Sequence, residues 1–217
     1  MQRITARRTL TTLFALVPLL MAAPQPVAAQ VVVSTLGPDN SFQNNSGYTL
    51  ASGGLAQSFV YSGPQGRVLD KLLLGLSPGS PGTTLIEFLR GTDMYTATTL
   101  ASWSNVNAEG FQPLGALFTF AATTDVPLIS GETYWIAVSR FGGVTSWSRN
   151  SVGIGGLASY KSPGSTEWVV TDLYESPAYA VFARAPGNAS VVPEPTTVLL
   201  LGTGLFALGF VQRRRAR

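Results

Sequence analysis

Glycine and proline interrupt this chain so often that only short, extended segments fit between them. There are 23 Gly and 14 Pro in 217 residues. Between Gln30 and Ala185 they separate short runs rich in β-branched and aromatic side chains, which is the pattern of strands and turns. Val31–Thr35, Leu55–Tyr61, Val68–Leu76, Thr84–Leu89 and Thr98–Trp103 are such runs. Gly115–Ala121, Thr133–Ser139, Val144–Arg149, Glu167–Thr171 and Ala180–Ala185 continue the series. Thr133–Ser139 alternates cleanly, with Tyr134, Ile136 and Val138 on one face and Trp135 and Ala137 on the other. Gly37–Gly54 reads as a Gly/Asn/Ser-rich loop and Pro78–Gly82 as a turn cluster. No segment of this span carries a helical stripe longer than a single turn. The expected fold is all-β, an antiparallel β-sandwich of jelly-roll type. Phe59, Leu74, Phe88, Phe118, Tyr134, Ile136 and Phe182 are expected between its sheets, and Trp135 in the interior.

Both ends differ from this body. Met1–Arg8 carries Arg3, Arg7 and Arg8, Thr9–Ala23 is apolar, and Val27-Ala28-Ala29 offers small residues for cleavage. That is the layout of a secretory signal peptide over 1–29, with Pro18 and Pro24 arguing against a retained anchor. At the other end stand Val192-Pro193-Glu194-Pro195, then the apolar run Thr196–Val211, then Arg213, Arg214, Arg215 and Arg217. The two prolines fix φ on either side of Glu194 and keep the box extended. As a helix the apolar run spans about 24 Å, slightly short of the hydrocarbon core. The arginines after it belong on the cytoplasmic side as a membrane stop, which places the body outside. The expected division is a signal peptide over 1–29, a β-domain over 30–185, a linker over 186–191 and a sorting and anchoring tail over 192–217. A signal helix and a transmembrane helix would flank the sandwich.

The tail resembles the PEP-CTERM sorting signal of Gram-negative bacteria, in which a Val-Pro-Glu-Pro box, one hydrophobic helix and an arginine cluster follow in that order. The resemblance implies processing by exosortase, a membrane-bound cysteine transpeptidase-like enzyme. It also implies a transient inner-membrane intermediate and delivery to the cell surface or extracellular matrix. In the body, Ala56-Gln57-Ser58-Phe59, Leu69–Leu76, Ile86-Glu87-Phe88-Leu89 and Leu128–Val138, with its Gly-Glu-Thr-Tyr-Trp stretch, resemble the choice-of-anchor R type of bacterial surface domain. That likeness implies a secreted β-rich module and brings no catalytic residues.

Charge and composition narrow the function. Of 14 basic residues, Arg3, Arg7, Arg8 and the four tail arginines lie in the targeting segments, whereas of 11 acidic residues only Glu194 does. The net +3 of the whole chain therefore conceals a slightly negative body, and nucleic acid is not an expected partner. With no histidine, Ser-His and Cys-His nucleophiles and histidine-bound metals are excluded, and with no cysteine so are disulfides and thiolate sites. A Ser159/Lys161 pair reads as two strand neighbours. Carboxylates such as Asp70, Glu87, Asp125 and Glu132 are the acid/base groups left for a glycan-cleaving reaction. Gly153-Ile154-Gly155-Gly156 lacks the helix and lysine of a phosphate loop and reads as a flexible loop. Trp103, Trp147 and Trp168 sit among polar neighbours and are candidate glycan contacts, since indoles stack on sugar rings, although each also suits a half-buried core position. Asp39, Asn40, Asn44 and Asn45 could offer oxygens to Ca²⁺ or simply make turns. No cofactor, catalytic residue or metal site is assigned. The expected function is a structural or adhesive surface protein of the extracellular polysaccharide or biofilm matrix, with a carbohydrate-binding module as the alternative and a glycan-cleaving enzyme third.

Overall fold

The computed structural model describes residues 29–78, 82–104 and 115–187. The signal segment up to residue 28, the linker from residue 188 and the whole 192–217 tail, including both expected helices, lie outside the described residues. Among the described residues thirteen strands run in chain order. They are β1 Gln30–Ser34, β2 Phe42–Ala51, β3 Gly54–Val60, β4 Arg67–Pro78, β5 Thr83–Arg90, β6 Thr98–Trp103 and β7 Ala116–Ala121. Then follow β8 Pro127–Leu128, β9 Thr133–Phe141, β10 Val144–Asn150, β11 Gly156–Lys161, β12 Val169–Leu173 and β13 Tyr179–Arg184. A single 3-10 turn, Pro38–Asn40, is the only helical element among the described residues, and none there is long and apolar enough to cross a membrane.

The strands form two antiparallel sheets. One has seven strands in the order β1-β13-β4-β10-β2, with β7 and β8 also on β4. The other has six, in the order β12-β11-β3-β9-β5-β6. Lys71–Leu74 pair with β13 and with β7 at once, so the long β4 is the spine of the first sheet. β9 has the same role in the second, held between β3 and β5 along most of its length.

The sheets close on an aromatic and aliphatic core. Phe88 and Tyr134 stack at 5.3 Å between ring centroids, and Phe59 and Tyr134 at 5.8 Å. Tyr179 reaches across from the other sheet to Phe59 at 6.5 Å and meets Trp147 edge-on at 6.4 Å. Leu69, Leu72, Leu74 and Ile136 fill the space around them without measurable exposure. Such offset rings and close-packed aliphatics are what hold a sandwich without disulfides. Burial also pushes the Tyr179 phenol well above its ordinary pKa, so it stays neutral.

Two of the expected core residues are placed differently. Phe118 is only half-buried because β7 borders the sheet, although it packs against the core cluster. Phe182 points outward, because Tyr179, Val181 and Ala183 take the inward positions of β13. It covers the outer face beside Leu73, with the Lys71 ammonium 4.9 Å above its ring. Trp135 is buried, yet on the outer face of its sheet rather than between the sheets. There it packs with Leu89, Met94 and Ala137 and donates its indole N–H to the Gly91 carbonyl at 2.9 Å. Asp93 builds the loop that covers it. Its carboxylate accepts the N–H groups of Tyr95 and Thr96, both at 3.0 Å, and the Thr96 hydroxyl at 2.8 Å. The Thr96 hydroxyl leads the contacts that hold the Asp93 pKa below its usual value.

Candidate functional site: an open groove and a clasped exit

The segment Gly37–Gly54, expected as a loop, contains β2, and β2 opens the sandwich along one side. It pairs with β10 at both ends, and between Gln43 and Gly47 its register slips. Gly47 is required there, since a Cβ would stand 2.7 Å from the Trp147 carbonyl oxygen. The strand then turns sharply. Ser52 adopts φ +56°, and Gly53 lies under the Lys161 carbonyl, 2.5 Å from where its Cβ would be. These contacts bring the start of β3 against β11 while β2 stays in the other sheet.

The result is a groove of about 430 Å³ between β2 and the β11–β12 pair. Its floor is apolar, built from Leu50 and Leu55, both buried. Tyr48 stands on one wall and Tyr160 and Leu173 on the other, with Thr49, Ser162 and Thr171 adding hydroxyls and Lys161 the positive charge. Tyr48 is fixed in place: its hydroxyl donates to the Glu175 carbonyl, and the Arg149 guanidinium lies 5.0 Å from its ring centroid. Arg149 also pairs with Glu175 at 3.6 Å. Burial is the main reason the Tyr48 pKa is raised. Tyr160, by contrast, is 43% exposed and free to present its face. An apolar floor with a ring on each wall and a few hydroxyls is the composition of a small-ligand site.

A second arrangement lies where the chain leaves the sandwich. Arg184, at the end of β13, is buried, with its guanidinium 3.5 Å from the Asp70 carboxylate on β4 and 2.7 Å from Asp125. Asp125 in turn accepts the N–H of Gly187 at 3.1 Å. The Gly187 N–H leads the contacts that hold the Asp125 pKa low, followed by Arg184.

The three candidate tryptophans do not meet. Trp147 is not a surface contact: it is fully buried in the core, its indole N–H donating to the Ala178 carbonyl at 3.0 Å. Its flanking serines suggested exposure, but alternation turns Ser146 and Ser148 to the opposite face and Trp147 inward. Trp103 is half-buried on the far strand β6, donating to the Ala121 carbonyl at 2.9 Å and packed against Phe120. Trp168 is half-buried beside β12, at the other end of the same sheet, with the Lys161 ammonium 5.1 Å from its ring. Only Trp168 lies close to the groove, its ring tip packed on Gly54. Asn44 and Asn45 belong to the irregular part of β2, while Asp39 and Asn40 lie in the 3-10 turn. Sequence reasoning missed Tyr48 and Tyr160 as a pair, because only the cross-sheet arrangement brings them to one groove.

Taken together these features define an all-β sandwich with an edge groove and a clasped C-terminal exit. Residues 191–215 match the PEP-CTERM protein-sorting motif. The chain carries that sorting signal immediately beyond the clasp. No curated protein matches the chain. A solved structure of the cysteine protease and lectin-like domains of Cwp84, a surface layer associated protein of Clostridium difficile, is similar over 62% of this chain and 32% of the other. The two share 11% identity at a TM-score of 0.41. This chain therefore spans less than two thirds of that structure.

Proposed function

We propose that this is an exported surface protein, processed by exosortase from an inner-membrane intermediate and retained with the extracellular polysaccharide layer in a structural or adhesive role. The sorting motif over 191–215 is the observation that carries this reading. Replacing Glu194 by Ala should leave the β-domain folded, because the box lies beyond the clasp at Gly187. The apolar run and its arginine stop are untouched, so the variant should still insert. It should accumulate at full length in the inner membrane while the unmodified protein is trimmed and reaches the surface. Intact mass and membrane fractionation compare the two. Identical trimming and delivery would show the tail to be a plain anchor.

The groove favours a second reading, as a carbohydrate-binding module. Tyr160 offers an exposed ring for an apolar sugar face, while Thr49, Ser162 and Thr171 offer hydroxyls for the sugar's own. This reading is of binding without cleavage. Tyr160→Ala should weaken a saturable glycan signal about fivefold or more, a loss of about 1 kcal/mol or more from the missing ring contact. A glycan array probed with both proteins decides it. Equal binding by both would place any glycan elsewhere, and release of reducing ends by the unmodified protein would make it an enzyme.

A further inference from the structure

We propose that β12 is a docking edge for a second copy of this chain, through which two six-stranded sheets join antiparallel about a two-fold axis at Val170. A free strand edge presents unpaired N–H and C=O groups, and proteins that stay apart blunt such edges. Four of the other border strands described here are blunted. β1 slips register between Val31 and Val33. β2 slips between Gln43 and Gly47, and β6 slips opposite Phe88 and Leu89. At the end of β7 the Trp103 indole occupies the Ala121 carbonyl. β12 has no such slip. It pairs with β11 residue for residue over Val169–Leu173 with no slip, and its outer edge has no strand partner among the described residues. Val169 and Val170 are 45% and 47% exposed.

The side chains around this edge complement themselves. Trp168, Val170 and Asp172 share the outer face by alternation. In an antiparallel pair centred on Val170, Trp168 falls opposite Asp172 of the second copy. The Lys161 ammonium already lies over the Trp168 ring, so that carboxylate arrives beside a cation. The two-fold axis repeats the Lys161, Trp168, Asp172 row on the other side. Glu167 falls opposite Leu173 and Val169 opposite Thr171, so no like charges face one another. The pairing leaves the Tyr160 groove of each copy at its own inner face, and it holds whatever that groove takes up.

The absence of cysteine from the sequence makes the test direct. Facing Cα atoms in an antiparallel pair stand about 4.5–5.5 Å apart, inside the ~4.4–6.8 Å range of disulfides. Val170→Cys in the full chain, exported from its own cells into an oxidising compartment, should therefore run as a disulfide-linked dimer on a non-reducing gel. Thr49→Cys, exposed on β2, should stay monomeric. As a measurement without cysteine, Asp172→Lys should lose the dimer in sedimentation of the detergent-solubilised full chain. Lys161→Asp combined with Asp172→Lys should recover it. A monomeric Val170→Cys, cross-linking no greater than that of Thr49→Cys, a covalent partner other than this chain, or a dimer indifferent to charge reversal would each overturn the proposal.

Discussion

Trp147→Ala should lower the stability of the domain by roughly 3–5 kcal/mol, which is a large fraction of what a single domain possesses. β10 lies between β2 and β4, and Trp147 pairs with Tyr48 on one side and Leu76 on the other. It therefore sits one strand in from the β2 border of the seven-stranded sheet, with a paired strand on each side, and is fully buried in the core. The substitution removes the largest side chain of the central contact with Tyr179 and leaves a void that flanking β-strands cannot collapse to fill. The hydrogen bond to Ala178 adds less, because that carbonyl also accepts the Gly75 N–H at 3.0 Å and would stay satisfied. Trp147→Phe is the control. It keeps an aromatic ring against Tyr179 and should lose only part of the stability. Urea unfolding followed by circular dichroism measures both. A loss below about 1 kcal/mol for Trp147→Ala would place the residue at the surface, where solvent replaces its contacts.

The strands legible in the sequence are those whose own composition demands extension. Thr98–Trp103 is found over the same residues as β6, and the alternation of Thr133–Ser139 marks β9 with Tyr134, Ile136 and Val138 in the core. β2 was hidden because Asn44, Asn45, Ser46 and Gly47 are turn formers by local preference. Pairing with β10 overrides that preference, and the misfit appears as the register slip between Gln43 and Gly47. β11 was obscured by Gly153, Gly155 and Gly156. Gly155 faces the Leu173 carbonyl closely and leaves no room for a Cβ, so these glycines let the chain enter the sheet rather than leave it. Phe182 illustrates a different limit. Period two identifies a strand without saying which parity faces inward, and in β13 the inward parity is that of Tyr179, Val181 and Ala183, which turns Phe182 out. For the groove there was no local signal, since Tyr48 and Tyr160 are far apart in sequence and neither lies in an unusual stretch.

Arg184→Met should destabilise the domain nearly as much as the loss of Trp147, for an electrostatic reason. Arg184 and Asp70 are both almost wholly buried, with side-chain exposures of 6% and 3%. Methionine keeps the apolar stem and removes the guanidinium that faces the buried Asp70 carboxylate at 3.5 Å. Breaking a buried pair in this way costs about 3–5 kcal/mol. Adding Asp70→Asn should recover part of the loss, because the second substitution removes the charge that Arg184 faced; no recovery would mean that the loss does not run through Asp70. The same clasp carries a pH signature through Asp125. Its folded pKa lies below the ordinary 3.8 because the Gly187 N–H and Arg184 both favour the carboxylate. A depressed folded pKa contributes stability that is fully present above the unfolded value and lost as pH falls through the folded one. Acid should therefore weaken the exit of the chain at Gly187 while neutral pH leaves it intact, and Asp125→Asn should flatten that part of the profile. Hydrogen exchange of the Gly187 amide across acidic pH reports it directly: faster exchange in Asp125→Asn at neutral pH is expected. Unchanged protection would show that something other than Asp125 holds the chain where it turns toward its sorting signal.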